Sequence, residues 1–184
     1  MKKILVILLV LAIIPAAIFA KGFSVGIGAT AATGATISSV LETQQVDPQA
    51  FVYGGYANIK VFLFSVNATM FPVYDGQVVH YSGDLAANLA LDVSIVRLQA
   101  GVSVNYFGVT DFKDWKFQFE NENIMDAPLS LRAEVDIILG DLNVGVWGIL
   151  PTTLTLGTID KILDLDIQDR WQDASLGLSL GFCF

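Results

Sequence analysis

The 184-residue chain contains one cysteine and one histidine, and only 15% of it is charged. The lone thiol, Cys183, has no internal partner, so an oxidising compartment is permitted but unused. One histidine and one cysteine give poor support to a zinc site or to His- or Cys-dependent nucleophilic catalysis. Basic residues are also scarce, 10 against 18 acidic ones, and the net charge of −8 disfavours a nucleic-acid partner. Beyond the N-terminus no apolar run reaches the roughly 18–20 residues of a membrane helix. Yet the chain is 54% hydrophobic with a mean hydropathy of +0.61, which rules out disorder. So much apolar surface without helix-length blocks has to be used in some other way.

The one long apolar run lies at the start. Lys2 and Lys3 precede Ile4–Ala20, and the small residues Ala16, Ala17 and Ala20 stand near its end. A basic start, a short apolar core and a small-residue exit predict a secretory signal peptide over residues 1–20. Ile18 makes the cleavage motif imperfect. An uncleaved anchor is the alternative, disfavoured by the short core and the missing stop-transfer flank. No cysteine stands just after the exit, which argues against a lipid-anchored protein.

From residue 21 onward the chain alternates with a period of two. Phe23, Val25, Ile27, Ala29 and Ala31 share one face, and Ser24, Gly26, Gly28 and Thr30 share the other. The same pattern recurs through Phe51–Ala57, Phe62–Met70, Leu85–Val93, Val96–Tyr106, Leu129–Ile137, Leu142–Leu150 and Ala174–Phe184. This predicts eight strands, each able to supply the 9–11 or so residues of a tilted membrane strand. Tight hairpins are expected near Asn58–Lys60, at Ser94–Ile95 and at Gly140–Asp141, because the apolar positions switch between odd and even numbers across each. Longer links are expected at about 32–49, 71–83, 108–127 and 151–173. Short turns at one end, long links at the other and an even strand count describe an antiparallel up-and-down barrel over residues 21–184. Its last strand closes on its first and leaves no edge.

Alternation alone does not say which face is outside. The polar face is mainly Ser, Gly, Ala and Asn, as in Gly177, Ser179 and Gly181, which suits a narrow lumen better than a wetted surface. The apolar face carries bulky Leu, Val and Phe and suits lipid. Aromatics gather near the strand ends: Phe23, Phe62, Phe64, Phe182 and Phe184 at the short-turn end, and Phe51, Tyr53, Phe71 and Tyr106 at the other. Two aromatic girdles are expected of a membrane barrel.

The final stretch, Leu176-Gly-Leu-Ser-Leu-Gly-Phe-Cys-Phe184, alternates and ends in phenylalanine. It resembles the C-terminal assembly signal of bacterial outer-membrane β-barrels, and the eight-strand plan is similar to the small OmpA/OmpX-type barrels. The resemblance implies an all-β, eight-stranded transmembrane barrel in the outer membrane, in contact with its lipid. It also implies delivery by periplasmic chaperones and insertion by the outer-membrane assembly machinery. Phe182 and Phe184 then form the assembly signal.

Strand phase puts Asp84, Asp92, Arg97, Arg132, Glu134 and Asp136 on the lumen face. An isolated buried ion is very costly, so these must pair or meet water. Asp92, Arg97 and Asp136 all fall near the short-turn end, and Asp92 is expected opposite Arg97 across the Ser94–Ile95 turn. They read as a charge network plugging the lumen, or else as part of a gated pore. His80-Tyr81-Ser82 is similar to the His-x-Ser of outer-membrane lipid A deacylases. However, its phase points 80 and 82 to the lumen, away from lipid, and a loop histidine without a role is the simpler reading. The long links are acidic, with Glu42, Asp47, Asp75, Asp111, Asp114, Glu120, Glu122, Asp126, Asp160, Asp164, Asp166, Asp169 and Asp173 against Lys113, Lys116, Lys161 and Arg170. Asp160–Asp169 lacks the glycine and glutamate pattern of an EF-hand, so no metal site is expected there. The same stretch is a candidate short helix on the barrel mouth, and Trp115–Phe119 a candidate strand extension.

The expected function is that of an integral outer-membrane protein with a structural or surface-interaction role, without catalysis or cofactor. The long links are expected outside the cell, where their acids could meet an extracellular ligand, with both termini periplasmic. The alternatives are a narrow porin-like channel for a small solute and a lipid-modifying enzyme.

Overall fold

The computed structural model describes residues 22–36, 51–76, 78–111, 116–119, 124–164 and 171–184. The predicted signal peptide, residues 1–20, lies outside the described residues, as does most of the first long link.

Among the described residues nine strands follow one another: β1 Phe23–Thr36, β2 Phe51–Val61, β3 Phe64–Tyr74, β4 Val79–Val93, β5 Val96–Asp111, β6 Lys116–Phe119, β7 Pro128–Leu139, β8 Leu142–Thr155 and β9 Ser175–Cys183. Eight of them close an antiparallel barrel in the order β4-β3-β2-β1-β9-β8-β7-β5, with β4 pairing back on β5. β6 pairs only with β5, through Gly108↔Phe119 to Asp111↔Lys116, and extends that strand beyond the ring. Closure brings the first and last strands together. The Val25 amide donates to the Phe184 carbonyl at 3.0 Å, and the Phe184 amide returns a bond to Val25 at 2.8 Å.

The three tight turns are Phe62–Leu63, Ser94–Ile95 and Gly140–Asp141. Each begins with a residue at positive φ: Phe62 at 54°, Ser94 at 60° and Gly140 at 67°. That conformation matches the right-handed twist of the flanking strands in a two-residue hairpin. Two expectations are corrected here. The first hairpin does not turn at Asn58–Lys60. β2 runs on through Ile59 and Val61, with Lys60 paired opposite Ser65, because a lysine is acceptable where its side chain enters the polar lumen. Nor is 71–83 a long link. Phe71–Tyr74 pair with Ser82–Val79, leaving only residues 75–78 between the strands.

The barrel is apolar outside and polar inside. Outward-facing side chains on every strand are exposed and mostly bulky: Ile27, Ile59, Val66, Leu85, Leu98, Val135, Val146 and Leu178 lie on the eight strands in turn. The buried set is Ser24, Asn58, Lys60, Ser65, Asn67, Thr69, Asp84, Arg97, Gln99, Arg132, Glu134, Asp136 and their like. This inverts the arrangement of a water-soluble barrel, whose core is its apolar side. The aromatics Phe23, Phe62, Phe64, Phe182 and Phe184 ring the outside at the short-turn end. At the other end Tyr53 and Tyr74 are exposed, but Phe71 is not part of any outer girdle. Its odd position in a strand whose even positions face out turns it into the lumen, where it is buried. Beyond the barrel, 3-10 turns cover Leu156–Asp164 in the last long link.

Candidate functional site: the lumen

Lumen side chains are supplied by alternate residues of eight strands, and an eight-stranded barrel is just wide enough for them to meet. At the short-turn end, the Ser94–Ile95 turn sets Asp92 opposite Arg97 in register. Arg97 Nε donates to Asp92 Oδ1 at 2.8 Å, and Arg97 Nη2 donates to Ser24 Oγ at 3.1 Å. Lys60 Nζ approaches the other oxygen, Asp92 Oδ2, at 2.9 Å. One carboxylate thus bridges two cations from three strands.

Asp136 stands beside Arg97 in register, but its hydrogen bonds go elsewhere. Gln99 Nε2 donates to Asp136 Oδ2 at 2.6 Å and Asn143 Nδ2 to Oδ1 at 3.3 Å. Gln99 in turn accepts from Ser65 Oγ. A second cluster centres on Arg132. Its Nη1 reaches Asp84 Oδ2 at 2.8 Å and its Nη2 reaches Glu134 Oε2 at 3.0 Å. Asn67 Nδ2 donates to Glu134 Oε2 at 2.6 Å, Asn58 donates to Asn67, and Thr69 donates to Asp84.

Large rings fill the remaining space. The Arg132 guanidinium lies 4.8 Å from the centre of the Trp147 ring, within cation–π range. Trp147 Nε1 donates to Thr30 Oγ1 at 3.1 Å, and the ring packs against Phe71 with centroids 6.3 Å apart. Tyr56 lies over two glycines. A Cβ at Gly28 would stand 2.7 Å from its Cε1, and one at Gly181 would stand 2.6 Å from its hydroxyl. Neighbouring backbone stands closer still, Leu180 O to the first point and Ile27 O to the second, so glycine is required at both positions.

The charges named from the sequence thus form two clusters, Asp92–Arg97 and Asp84–Arg132–Glu134, with Asp136 between amide donors. Lys60, Tyr56, Gln99, Asn143 and Trp147 also belong to the lumen and were not singled out. Phase was the signal for them: each sits out of step with the apolar positions of its strand. Phe182 and Phe184 point outward, away from these clusters, and Phe184 is 71% exposed. His80 is in β4 and not in a loop. Its Nε2 lies 3.1 Å from Asp75 Oδ2 at the exposed rim. Among the described residues no group of three or more His, Cys, Asp or Glu is placed to hold a metal ion.

A barrel with this shape is already known. The chain is similar in fold to the N-terminal β-barrel domain of Pseudomonas aeruginosa OprF. The match has a TM-score of 0.50 at 11% identity and covers 88% of this chain and 97% of that one. Neisserial surface protein A matches with a TM-score of 0.40 at 15% identity, covering 89% and 96% of the two chains. Ail, the attachment invasion locus protein of Yersinia pestis, solved with the heparin analogue sucrose octasulfate, matches at 0.38 and 10%, covering 88% and 97%. No protein-family model and no curated protein matches the chain. The fold is that of the small eight-stranded outer-membrane β-barrels.

Proposed function

We propose that this protein is an integral outer-membrane β-barrel with a structural or surface-interaction role, closed to solute flow and without catalysis. One observation carries the reading: an exposed apolar belt on all eight strands encloses a lumen crossed by ion-paired side chains. In water such a belt would drive aggregation, whereas in lipid it is the surface the solvent favours. Each of the eight barrel strands has the length to cross, the shortest being the nine residues of β9.

Residues 1–20 then act as the signal peptide, and the terminal Phe182 and Phe184 engage the outer-membrane assembly machinery after passage on periplasmic chaperones. The long links face the outside of the cell and the termini face the periplasm. The acidic links are the surface available to an extracellular ligand.

The test is twofold. Protein extracted in detergent should change electrophoretic mobility on heating and show a β-rich spectrum before it. In planar bilayers it should show no steady unitary conductance. Stepwise conductance would replace this reading with a narrow pore. An acyl-hydrolysing activity lost on His80→Ala and Ser82→Ala would replace it with an enzyme.

A further inference from the structure

Among the described residues, the lumen holds three buried cations, Lys60, Arg97 and Arg132, and four carboxylates, of which Asp84, Glu134 and Asp136 are buried and Asp92 is 10% exposed at the mouth. Asp84, Asp92 and Glu134 each lie against a cation within 3.0 Å. Asp136, fully buried, takes its hydrogen bonds from the neutral amides of Gln99 and Asn143. One negative charge in the lumen is therefore left without a counter-charge bonded to it.

The surroundings of Asp136 contain oxygens with no hydrogen to meet. Asp136, Gly145 and Ser179 stand side by side on β7, β8 and β9. Because Gly145 has no side chain, Asp136 and Ser179 face one another across it. The point a Cβ would occupy at Gly145 lies against both Ser179 Oγ and Asp136 Oδ1, closer than any non-bonded contact, and 3.4 Å from Glu134 Oε1. Ser179 is 3% exposed and its Oγ has no hydrogen-bond partner. Asn143, whose amide nitrogen reaches Asp136, also leaves its Oδ1 without one. A buried hydroxyl and a buried amide oxygen without partners are costly, and so is a buried charge without a counter-charge. A single ion beside Gly145 would relieve the charge of Asp136 and the lone Ser179 oxygen together.

We propose that the space over Gly145, between Asp136, Glu134 and Ser179, binds one small monovalent cation of the sodium class. The donors are all oxygen, which selects a hard cation and gives no preference to a transition metal. The excess charge is one, so a monovalent ion neutralises it without overcompensation. Glu134 keeps Arg132 and Asn67 on its Oε2 and turns its other oxygen toward the site. The assignment does not depend on whether the barrel is structural or conducting.

The test uses the protein refolded from urea into detergent, so that the ion can enter during folding. Sodium chloride replaces choline chloride at constant ionic strength in the presence of EDTA, and the unfolding midpoint is followed by tryptophan fluorescence. A saturable rise with sodium is expected. Ser179→Ala, which removes one uncharged oxygen from the site, should raise the half-saturating concentration roughly tenfold. Asp136→Asn should fold and lose the response. Should Asp136→Asn fail to fold, Ser179→Ala decides alone, since it removes one oxygen from the site without changing its charge or adding an atom to it. A midpoint indifferent to sodium would overturn the proposal. So would an unsaturable rise shared by Ser179→Ala, a response to calcium alone, or a midpoint that follows pH and not sodium, which would mean a proton neutralises Asp136.

Discussion

Trp147 and Gly177 are cross-strand partners on β8 and β9, and the indole ring lies where a side chain at 177 would have to go. The ring is held on three sides, by Arg132, Thr30 and Phe71. It therefore has no easy retreat. Gly177→Ala should cost about 1–3 kcal/mol, the usual penalty for overpacking a rigid site. The urea midpoint in detergent would register it. Trp147→Ala should itself be destabilising by about 3–5 kcal/mol, because it empties a buried ring's volume. In the double variant the clash is gone, so the combined loss should fall short of the sum. Additive losses would mean the ring does not sit over the glycine.

Gly140 opens the β7–β8 turn at φ 67°, with nothing within 4 Å of where its Cβ would be. Gly140→Ala therefore meets no neighbour, and its whole effect is the left-handed backbone penalty of about 1 kcal/mol. Ser94 and Phe62 already bear that penalty at the equivalent place in their own turns. Chemical denaturation should show the loss at Gly140 and none of the coupling expected between Trp147 and Gly177.

The barrel was legible in the sequence because a strand's period admits only two faces, and one of them had to be apolar throughout. The strand count, the Ser94–Ile95 and Gly140–Asp141 turns and the closure of β9 on β1 all follow from that. Strand lengths were less legible. Polar or charged residues such as Lys60 and His80 looked like turn residues when judged by character. Lys60 continues its strand because its phase turns it into the polar lumen, and His80 because it stands at the exposed rim. Phe71 was misplaced for the converse reason: as an aromatic near a strand end it suggested a girdle, while its phase pointed inward. In the lumen the cross-hairpin pair of Asp92 and Arg97 could be deduced from the turn. Which strand supplies Lys60, and which ring covers which glycine, depend on how the barrel closes, and no local pattern encodes that.

The topology proposed above places the link between β3 and β4 outside the cell. Asp75 and Gly76 at its tip are exposed, and a side chain at Gly76 would meet nothing within 4 Å. An epitope inserted after Gly76 should leave the barrel folded and bind antibody on intact cells. Reactivity only after the outer membrane is broken would place this end in the periplasm.

Phe184 contributes little to packing, since it is 71% exposed on the outer face, while its backbone completes the seam with Val25. Replacing it with Ala keeps those backbone bonds. Refolded stability in detergent should therefore change by less than about 1 kcal/mol, as is usual for an exposed site. Outer-membrane levels in cells should nonetheless drop, as the assembly role proposed above for the terminal aromatic requires. Normal levels in cells would argue that the alternating tail is only a strand.

Asp92 is shared by Lys60 and Arg97, so the three do not contribute equally. Removing Arg97 leaves Asp92 with Lys60 still at 2.9 Å. Removing Asp92 leaves two buried cations facing one another without their common anion. Breaking a fully buried pair costs on the order of 3–5 kcal/mol. The Asp92 side chain is 10% exposed at the lumen mouth, so water should lower that figure here. The order is the robust part: Asp92→Ala should lower the urea midpoint more than either Arg97→Ala or Lys60→Ala. Adding Lys60→Met to Asp92→Ala should recover part of the loss, because one of the two stranded charges is then gone. If Arg97→Ala proves the most damaging, the carboxylate is not the hub, and the contact with Ser24 matters more than its geometry suggests.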